Sequence, residues 1–386
     1  MKRRSTFISG LATAAVGGLI VTSGGNALAS PRLGAAPAAP TITIGFAGPL
    51  SGDQAYFGQG YLNGVKLQAQ TFTFSGALAG AKVKVMPLDD AADPQQGVTV
   101  ARRFVAMHIN GIIGHFNSGV TIPTEPIYHA AGIPQITVSS NPKVTTFGFK
   151  NLIRLGANDN VQGVDMARTA KETLGVKSVA VFNDSQAFGQ GVASTFYNAA
   201  QKDGLTIYGN TALSASTEDY TSALNPVLAK HPGAIYFGGT IPVGGPLCKQ
   251  ARAAGFKGAF MGADGLFDPA FIKGCGPSIG TAYVTVDTPP YDSSAGLRQF
   301  SSAYKKSFGA VAGPYSIYGY DQMGFLLSAM NAAGTTNSSA VVDRLHSITY
   351  KGVLGAEKVD ARGELINAPI YIYKVSGANF SLVRKG

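Results

Sequence analysis

The chain has 386 residues, 31 Lys and Arg against 21 Asp and Glu, a formal net charge of +10, and 45% hydrophobic against only 13% charged residues. That length exceeds one typical domain and suits two, and the composition allows a large core. Beyond the N-terminus no basic run is longer than Arg102-Arg103 or Lys305-Lys306. A phosphate-tracking surface is therefore excluded, and the charge serves general solubility.

In chain order, Lys2, Arg3 and Arg4 precede an apolar run from about Phe7 to Val21, and Ala27-Leu28-Ala29 follows before Ser30. Charged, apolar and small-residue segments in that order mark a secretory signal peptide over residues 1–29. The apolar run carries Gly10, Gly17 and Gly18 and is shorter than the ~20 residues of a spanning helix, so cleavage after Ala29 is expected, by Sec or Tat export. No cysteine precedes Cys248, so there is no residue for a lipid tether, and the mature chain is expected to diffuse freely in the periplasm or outside the cell. Residues 30–40, rich in Ala and Pro, read as a flexible leader.

Thr41 to Ala47 alternates with β-branched residues, a loop from Gly48 to Gly58 leads to a helix near Tyr61 to Phe72, and Lys82 to Leu88 alternates again. Asp93-Pro94 offers an N-cap followed by proline in the first turn, opening a helix through Phe104. Gly111 to Gly114, Gln135 to Ser139 and Leu152 to Leu155 supply short strands. A second series follows, with strands at Ser178 to Phe182, Thr206 to Tyr208, Ala234 to Phe237 and Ala259 to Met261, and helices near Gly189 to Lys202, Tyr220 to Lys230 and Pro242 to Ala254. Such alternation predicts an α/β fold with doubly wound parallel sheets. These sheets bind ligands at the carboxyl ends of their strands, where the loops Gly48 to Gly52, His115 to Thr121 and Ser139 to Pro142 fall.

Catalytic signatures are poor. Gly58, Gly60 and Gly64 are spaced as G-x-G-x-x-x-G, not as the dinucleotide fingerprint. Asp89, Asp90 and Asp93 cluster at a strand end, but a helix cap and polar turn residues explain them better than a cation site. The five histidines show no H-x-x-x-H or H-E-x-x-H spacing, and no G-x-S-x-G elbow is present. His115, just after a strand, reads as a supporting hydrogen-bonding residue. No catalytic residue, metal site or cofactor is expected, and the chain does not read as an enzyme.

Several segments in order resemble the type I solute-binding proteins of branched-chain amino acid ABC transporters, the leucine/isoleucine/valine-binding protein family. They are Ile44-Gly45-Phe46-Ala47-Gly48-Pro49-Leu50-Ser51-Gly52, Asp89-Asp90-Ala91-Ala92-Asp93-Pro94, Ile113-Gly114-His115, Pro123 with Ile127-Tyr128, and Phe260-Met261-Gly262-Ala263-Asp264-Gly265. The resemblance runs from Thr41 to the C-terminus. It implies two doubly wound parallel-sheet lobes joined by three crossover strands, one lobe at 41–157 plus 287–367 and the other at 158–286 plus 368–386. Such a protein closes its lobes on a small molecule, an amino acid above all, and hands it to the permease subunits of an ABC transporter. It works as a monomer and has no nucleic-acid partner.

By the resemblance, Ser118 binds the ligand carboxylate, and Ser139, Ser140 and Asn141 form the next binding loop, with the Ser139 carbonyl offered to the ammonium and Asn141 standing where threonine is usual. Asp264 matches the acidic residue that accepts from the α-ammonium; its alternative is a cap before Gly265. Phe57, Phe116, Phe188 and Tyr315 match pocket positions, although each would also suit a core. Thr240 stands where relatives often carry an aromatic, and Phe57 and Phe188 lack tyrosine's hydroxyl, so the pocket is expected to be reshaped. Positions 92 and 117, cysteines in some relatives, are Ala92 and Asn117. An exported chain meets an oxidising compartment, and Cys248 and Cys275 flank the Ala259 to Met261 strand, so they are expected to pair, with two separate thiols as the alternative. A ligand sensor or enzyme on the same lobes, or a binder of an aromatic acid or amide, is the other reading.

Overall fold

A computed structural model describes residues 40–386. The signal peptide expected at 1–29 and all of the leader but Pro40 lie outside the described residues. The first sheet is built from β1 (Thr41–Gly48), β2 (Lys82–Asp89), β3 (Gly111–Ile113), β4 (Gln135–Thr137) and β5 (Leu152–Arg154), all parallel, in the order β2-β1-β3-β4-β5. Helices α1 (Ala55–Thr71), α2 (Pro94–Ala106) and α3 (Ser118–Ala130) connect its strands. The short strands β3 and β4 are buried along their whole length, as inner strands covered on both faces must be, and β5, at the edge, is buried too, with a bridge from Arg154 to Glu364 covering it. β2, on the edge, keeps Lys82 and Lys84 exposed, which blocks further pairing.

The second sheet repeats the plan. It comprises β6 (Ser178–Asn183), β7 (Thr206–Ala212), β8 (Ala234–Gly238), β9 (Ala259–Gly262) and β10 (Ala282–Val286), parallel in the order β7-β6-β8-β9-β10. It is preceded by α4 (Asp159–Arg168) and interleaved with α5 (Ala187–Lys202), α6 (Thr221–Leu228), α7 (Ile241–Ala253) and α8 (Pro269–Cys275). The chain then supplies α9 (Ala295–Phe308), α10 (Ser316–Ala333), α11 (Ser338–Ser347) and the two-residue strands β11 (Tyr350–Lys351) and β12 (Ala356–Glu357). It ends in an antiparallel hairpin, β13 (Tyr371–Ser376) and β14 (Asn379–Lys385), that extends the second sheet beyond β10. Because α10 packs on α1 and against β3 and β4, the chain passes between the two sheets three times: after β5, after β10 and before β13.

Local chemistry explains most element ends. Asp93 caps α2 by accepting from the Gln96 amide at 2.7 Å, with Pro94 next in the helix, as the Asp93-Pro94 pair predicts. The loop expected from Gly48 to Gly58 is shorter, because α1 begins at Ala55 after a single 3-10 turn over Gly52–Gln54. Gly58, expected at the end of the loop, lies with Gly64 inside α1, and both are close-contact points. A Cβ at Gly58 would lie 1.8 Å from the Pro49 carbonyl oxygen, and one at Gly64 would lie 1.8 Å from that of Ser316 in α10. Glycine there lets backbones touch.

Helices α9 to α11 are absent from the expected series. From Ser316 to Met330 every residue of α10 but Tyr320 and Ser328 is buried, so the helix is covered nearly all round and has no single stripe for periodicity to detect. In the second lobe Cys248 of α7 and Cys275 of α8 are joined as a disulfide, their Cα atoms 5.1 Å apart. The 27-residue separation gives a loop-closure stabilisation of about 3.5 kcal/mol.

Candidate ligand-binding site

Each parallel sheet has the strand order 2-1-3-4-5, so each has one point where neighbouring strands send their connections to opposite faces, and a crevice opens there. In the first sheet that point lies between β1 and β3; in the second it lies between β6 and β8. The loops leaving these strands face one another across a tight cavity of about 30 Å³.

From the first lobe the wall is formed by Phe57 in the first turn of α1, by Phe116, Asn117 and Ser118 between β3 and α3, by Val138 and Ser140 after β4, and by Tyr315 before α10. From the second lobe come Phe188 at the start of α5, Thr240 after β8, and Asp264 with Gly265 after β9. Phe57 stacks on Phe116 at 5.6 Å between centroids, and the Tyr315 ring meets both edge-on at 5.1 and 4.6 Å. These three rings fix one another, leaving Phe188 as the aromatic on the opposite lobe.

Asp264 is the charged centre of the cavity. It is 8% exposed, and its carboxylate accepts from the Gln162 side-chain amide and from the Tyr315 hydroxyl, each at 3.1 Å. Gln162 is itself oriented by the Thr285 hydroxyl, which donates to its carbonyl oxygen at 3.1 Å. Burial pushes the Asp264 carboxyl up to about 7, and the neighbouring Asp287 carboxylate adds to the shift; the bonds from Gln162, Tyr315 and the Gly265 amide oppose it. Behind it, burial pushes Asp159 up to about 8, with Asp264 contributing. No lysine or arginine lines the cavity. A buried carboxylate with no protein cation needs a cation from elsewhere or a proton.

On the first-lobe wall Ser118 opens α3, and its hydroxyl accepts from the Asn141 amide at 3.2 Å. A helix N-terminus carries free amides and partial positive charge, so this wall favours an anionic group. The cavity thus pairs an anion-accepting wall with a cation-accepting carboxylate.

Eight residues singled out in the sequence line the cavity: Phe57, Phe116, Ser118, Ser140, Phe188, Thr240, Asp264 and Tyr315. Thr240 reaches it with its hydroxyl already committed to Asp184, which also accepts from the Thr240 amide. Ser139 and Asn141, the other two residues expected at the site, are not among the residues that line this cavity. The Ser139 hydroxyl lies 2.6 Å from that of Thr121 and donates to the Phe116 carbonyl, while the Ser139 carbonyl accepts from Arg154 at 3.1 Å. Its carbonyl is turned into the first lobe because a buried guanidinium must be satisfied there. His115 is likewise buried away from the wall, Nδ1 at 2.7 Å from Asp90 and Nε2 at 3.0 Å from the Tyr128 hydroxyl.

Arg154 was not singled out. Fully buried, it donates to the carbonyls of Ser139 and Asn141, to the Thr145 hydroxyl and to both oxygens of Glu364. Burial alone would raise the Glu364 carboxyl, but the bonds and charge of Arg154 outweigh it and hold it below the usual range. An arginine inside the apolar strand Leu152-Ile153-Arg154-Leu155 was the available signal, since an inward charge demands partners. Gln162 carried no comparable signal.

The model of the periplasmic binding protein family matches residues 41–379. The chain belongs to that family. An amino acid binding protein of Pseudomonas aeruginosa is 31% identical over 338 residues, covering 86% of this chain and 90% of that protein. A leucine-, isoleucine-, valine-, threonine- and alanine-binding protein of the same species is 27% identical over 338 residues, covering 87% and 90%. Among solved structures, a leucine binding protein of Thermotoga maritima superposes with a TM-score of 0.83 at 24% identity, covering 89% of this chain and 98% of that one. The substrate-binding protein of a branched-chain amino acid transporter from Streptococcus pneumoniae, in complex with isoleucine, gives 0.80 at 22% identity, covering 90% and 100%. These likenesses establish the two-lobed periplasmic binding protein fold, and the family is one of solute-binding proteins.

Proposed function

We propose that this protein captures an α-amino acid between its two lobes outside the cytoplasm and delivers it to the permease subunits of an ABC transporter, acting as a monomer after removal of residues 1–29. The lobes are 41–157 plus 287–367 and 158–286 plus 368–386, and they turn on the three crossovers. The observation that carries the reading is the charge pattern of the cavity: one buried carboxylate, Asp264, and no cation, opposite the N-terminus of α3. A zwitterion satisfies both, its ammonium on Asp264 and its carboxylate on Ser118 and the helix amides, with Ser140 beside it. A plain carboxylic acid would leave Asp264 without a counter-charge. Phe57, Phe116, Tyr315 and Phe188 then enclose an apolar or modest-sized side chain.

The same carboxylate couples ligand to closure. In a closed, empty cleft the ionised Asp264 is dehydrated without a partner, which favours the open state; an ammonium removes that penalty and lets the lobes shut. A ligand shifts a two-state equilibrium only by its differential affinity, and here that difference lies in the buried ion pair. The names of the relatives in Pseudomonas aeruginosa support the amino acid class. Mass spectrometry of the small molecule released from the purified protein tests it: an intact α-amino acid is expected, whereas an amine-free aromatic acid or a chemically altered product would overturn the reading.

A further inference from the structure

We infer that Asn141 is a latch between the lobes and not a ligand contact. Asn141 is 5% exposed and does not belong to the cavity wall. Its hydrogen-bonding groups are engaged elsewhere, and three of them stay within the first lobe. The backbone amide donates to the Ser118 hydroxyl at 3.2 Å, the carbonyl accepts from Arg154 at 2.8 Å, and the side-chain oxygen accepts from the Lys143 amide at 2.9 Å, capping the 3-10 turn Pro142–Thr145. The fourth crosses the cleft: the side-chain nitrogen donates to the carbonyl of Ala187, the first residue of α5, at 2.5 Å.

The opposing surface is shaped for this reach. One turn along α5 stands Gly191, where a Cβ would lie 2.5 Å from the Asn141 side-chain nitrogen and 3.0 Å from an Asp159 carboxylate oxygen. A glycine costs helix stability in mid-helix, yet any side chain here would occupy the seat of the amide. Beside it Gly119 of α3 faces the Ala187 methyl, the gap being 3.8 Å from the place of a Cβ. The N-terminal turns of α3 and α5 therefore meet directly, with the Asn141 amide as a polar bolt between them.

The amide is bifunctional, and the two functions separate by chemistry. The oxygen holds the ligand loop in its own lobe; the nitrogen holds the other lobe. Other direct bonds join the lobes: the Asp159 amide donates to the Ser140 carbonyl at 2.8 Å beside the crossover, and the bond from the Tyr315 hydroxyl to Asp264 lies in the cavity itself, where an arriving ammonium competes for the carboxylate. The Asn141 bond touches no ligand and so contributes equally to closure with any of them. It sets how far the empty protein is biased toward the closed state, and with it the apparent affinity for every ligand.

Three variants test the latch, which rests on the reading that the lobes open and close. Asn141→Ser retains an oxygen to cap Lys143 but is too short to reach Ala187. Asn141→Asp also keeps the cap and turns a second oxygen toward the Ala187 carbonyl. Gly191→Ala leaves Asn141 intact and fills its seat. Spin labels at Gln95→Cys and Lys202→Cys, exposed positions on α2 and α5, report open and closed populations by pulsed-EPR distance distributions in ligand-free protein. Loss of one hydrogen bond lowers the closed-to-open ratio roughly three- to tenfold in Asn141→Ser, and further in Asn141→Asp, with the melting temperature of each unchanged within a few degrees. Gly191→Ala opens the protein without lowering its melting temperature. Wild-type distributions in the serine and aspartate variants would overturn the latch; if those variants do not fold, a wild-type distribution in Gly191→Ala would overturn it alone. A parallel arm with L-leucine keeps the two claims apart: wild type that ignores L-leucine counts against the amino acid reading and leaves the ligand-free comparison standing.

Discussion

Replacing Asp264 with asparagine separates the carboxylate's charge from its shape. Burial raises the carboxyl from 3.8 to about 7, a difference of about 4 kcal/mol at about 1.36 kcal/mol per unit. Because the pKa in the closed state lies above that of the hydrated group, the closed state holds the extra proton across this window. The penalty on closure is absent below about pH 4, grows as pH rises and is complete above about pH 7. The same sign applies to folding, so this group's contribution to stability falls as pH rises through the window. Asp264→Asn carries no charge to dehydrate, but Gln162 and Tyr315 donate to different carboxylate oxygens and the amide replaces one of these with an NH2 donor, so one bond is lost, which costs about 1 kcal/mol. The balance at pH 8 is about 3 kcal/mol toward the closed state, more than a hundredfold in the population ratio; near pH 5 variant and wild type converge.

Ligand affinity should move the other way. Without the carboxylate a buried ammonium has no counter-charge, a loss of about 3 to 5 kcal/mol, or roughly two to four orders of magnitude. Small-angle scattering of ligand-free protein at pH 5 and pH 8 reads the first effect and calorimetry the second. Asp159 and Asp287 are also raised by burial, so the comparison with the variant decides, not the pH profile alone. An Asp264→Asn protein that opens between pH 5 and pH 8 as wild type does, or a wild type whose compactness ignores pH, would refute the charge-gated closure.

Arg154→Leu leaves the Glu364 carboxylate without its partner and frees the Ser139 and Asn141 carbonyls; breaking such a buried pair should destabilise by about 3 to 5 kcal/mol, read by urea denaturation, and a loss under about 1 kcal/mol would contradict the role given to the guanidinium. Unreduced, unfolded protein should present no free thiol to a labelling reagent, and reduction should lower stability by about 3.5 kcal/mol. Two labelled thiols in the unreduced chain would mean that Cys248 and Cys275 are not paired.

The two parallel sheets were legible because their strands are short apolar runs set between amphipathic helices, a pattern that local composition carries. The site loops were legible for the same reason: strand order in such sheets places the crevice, and Phe116-Asn117-Ser118 and Asp264-Gly265 fall at strand ends. What stayed hidden depends on partners far along the chain. Helix α10 is buried on almost every side and so carries no periodic signature, and the contacts that demand glycine at 58 and 64 show only once the Pro49 and Ser316 carbonyls are seen against them. Ser139 and Asn141 lie on a binding loop by sequence, yet Arg154 turns one away and Ala187 claims the other. Neither partner is near in sequence, so spacing could not reveal it.

Titration calorimetry of the wild-type protein with a panel of α-amino acids and their deaminated counterparts tests the central claim most directly. At pH 8, with Asp264 ionised, at least one amino acid should bind, and the acid lacking only its amine should bind at least a hundredfold more weakly, since it brings a carboxylate beside Asp264 and no charge to balance it. Equal or tighter binding of the deaminated acid, or no binding by any amino acid, would contradict the assignment of the ligand ammonium to Asp264.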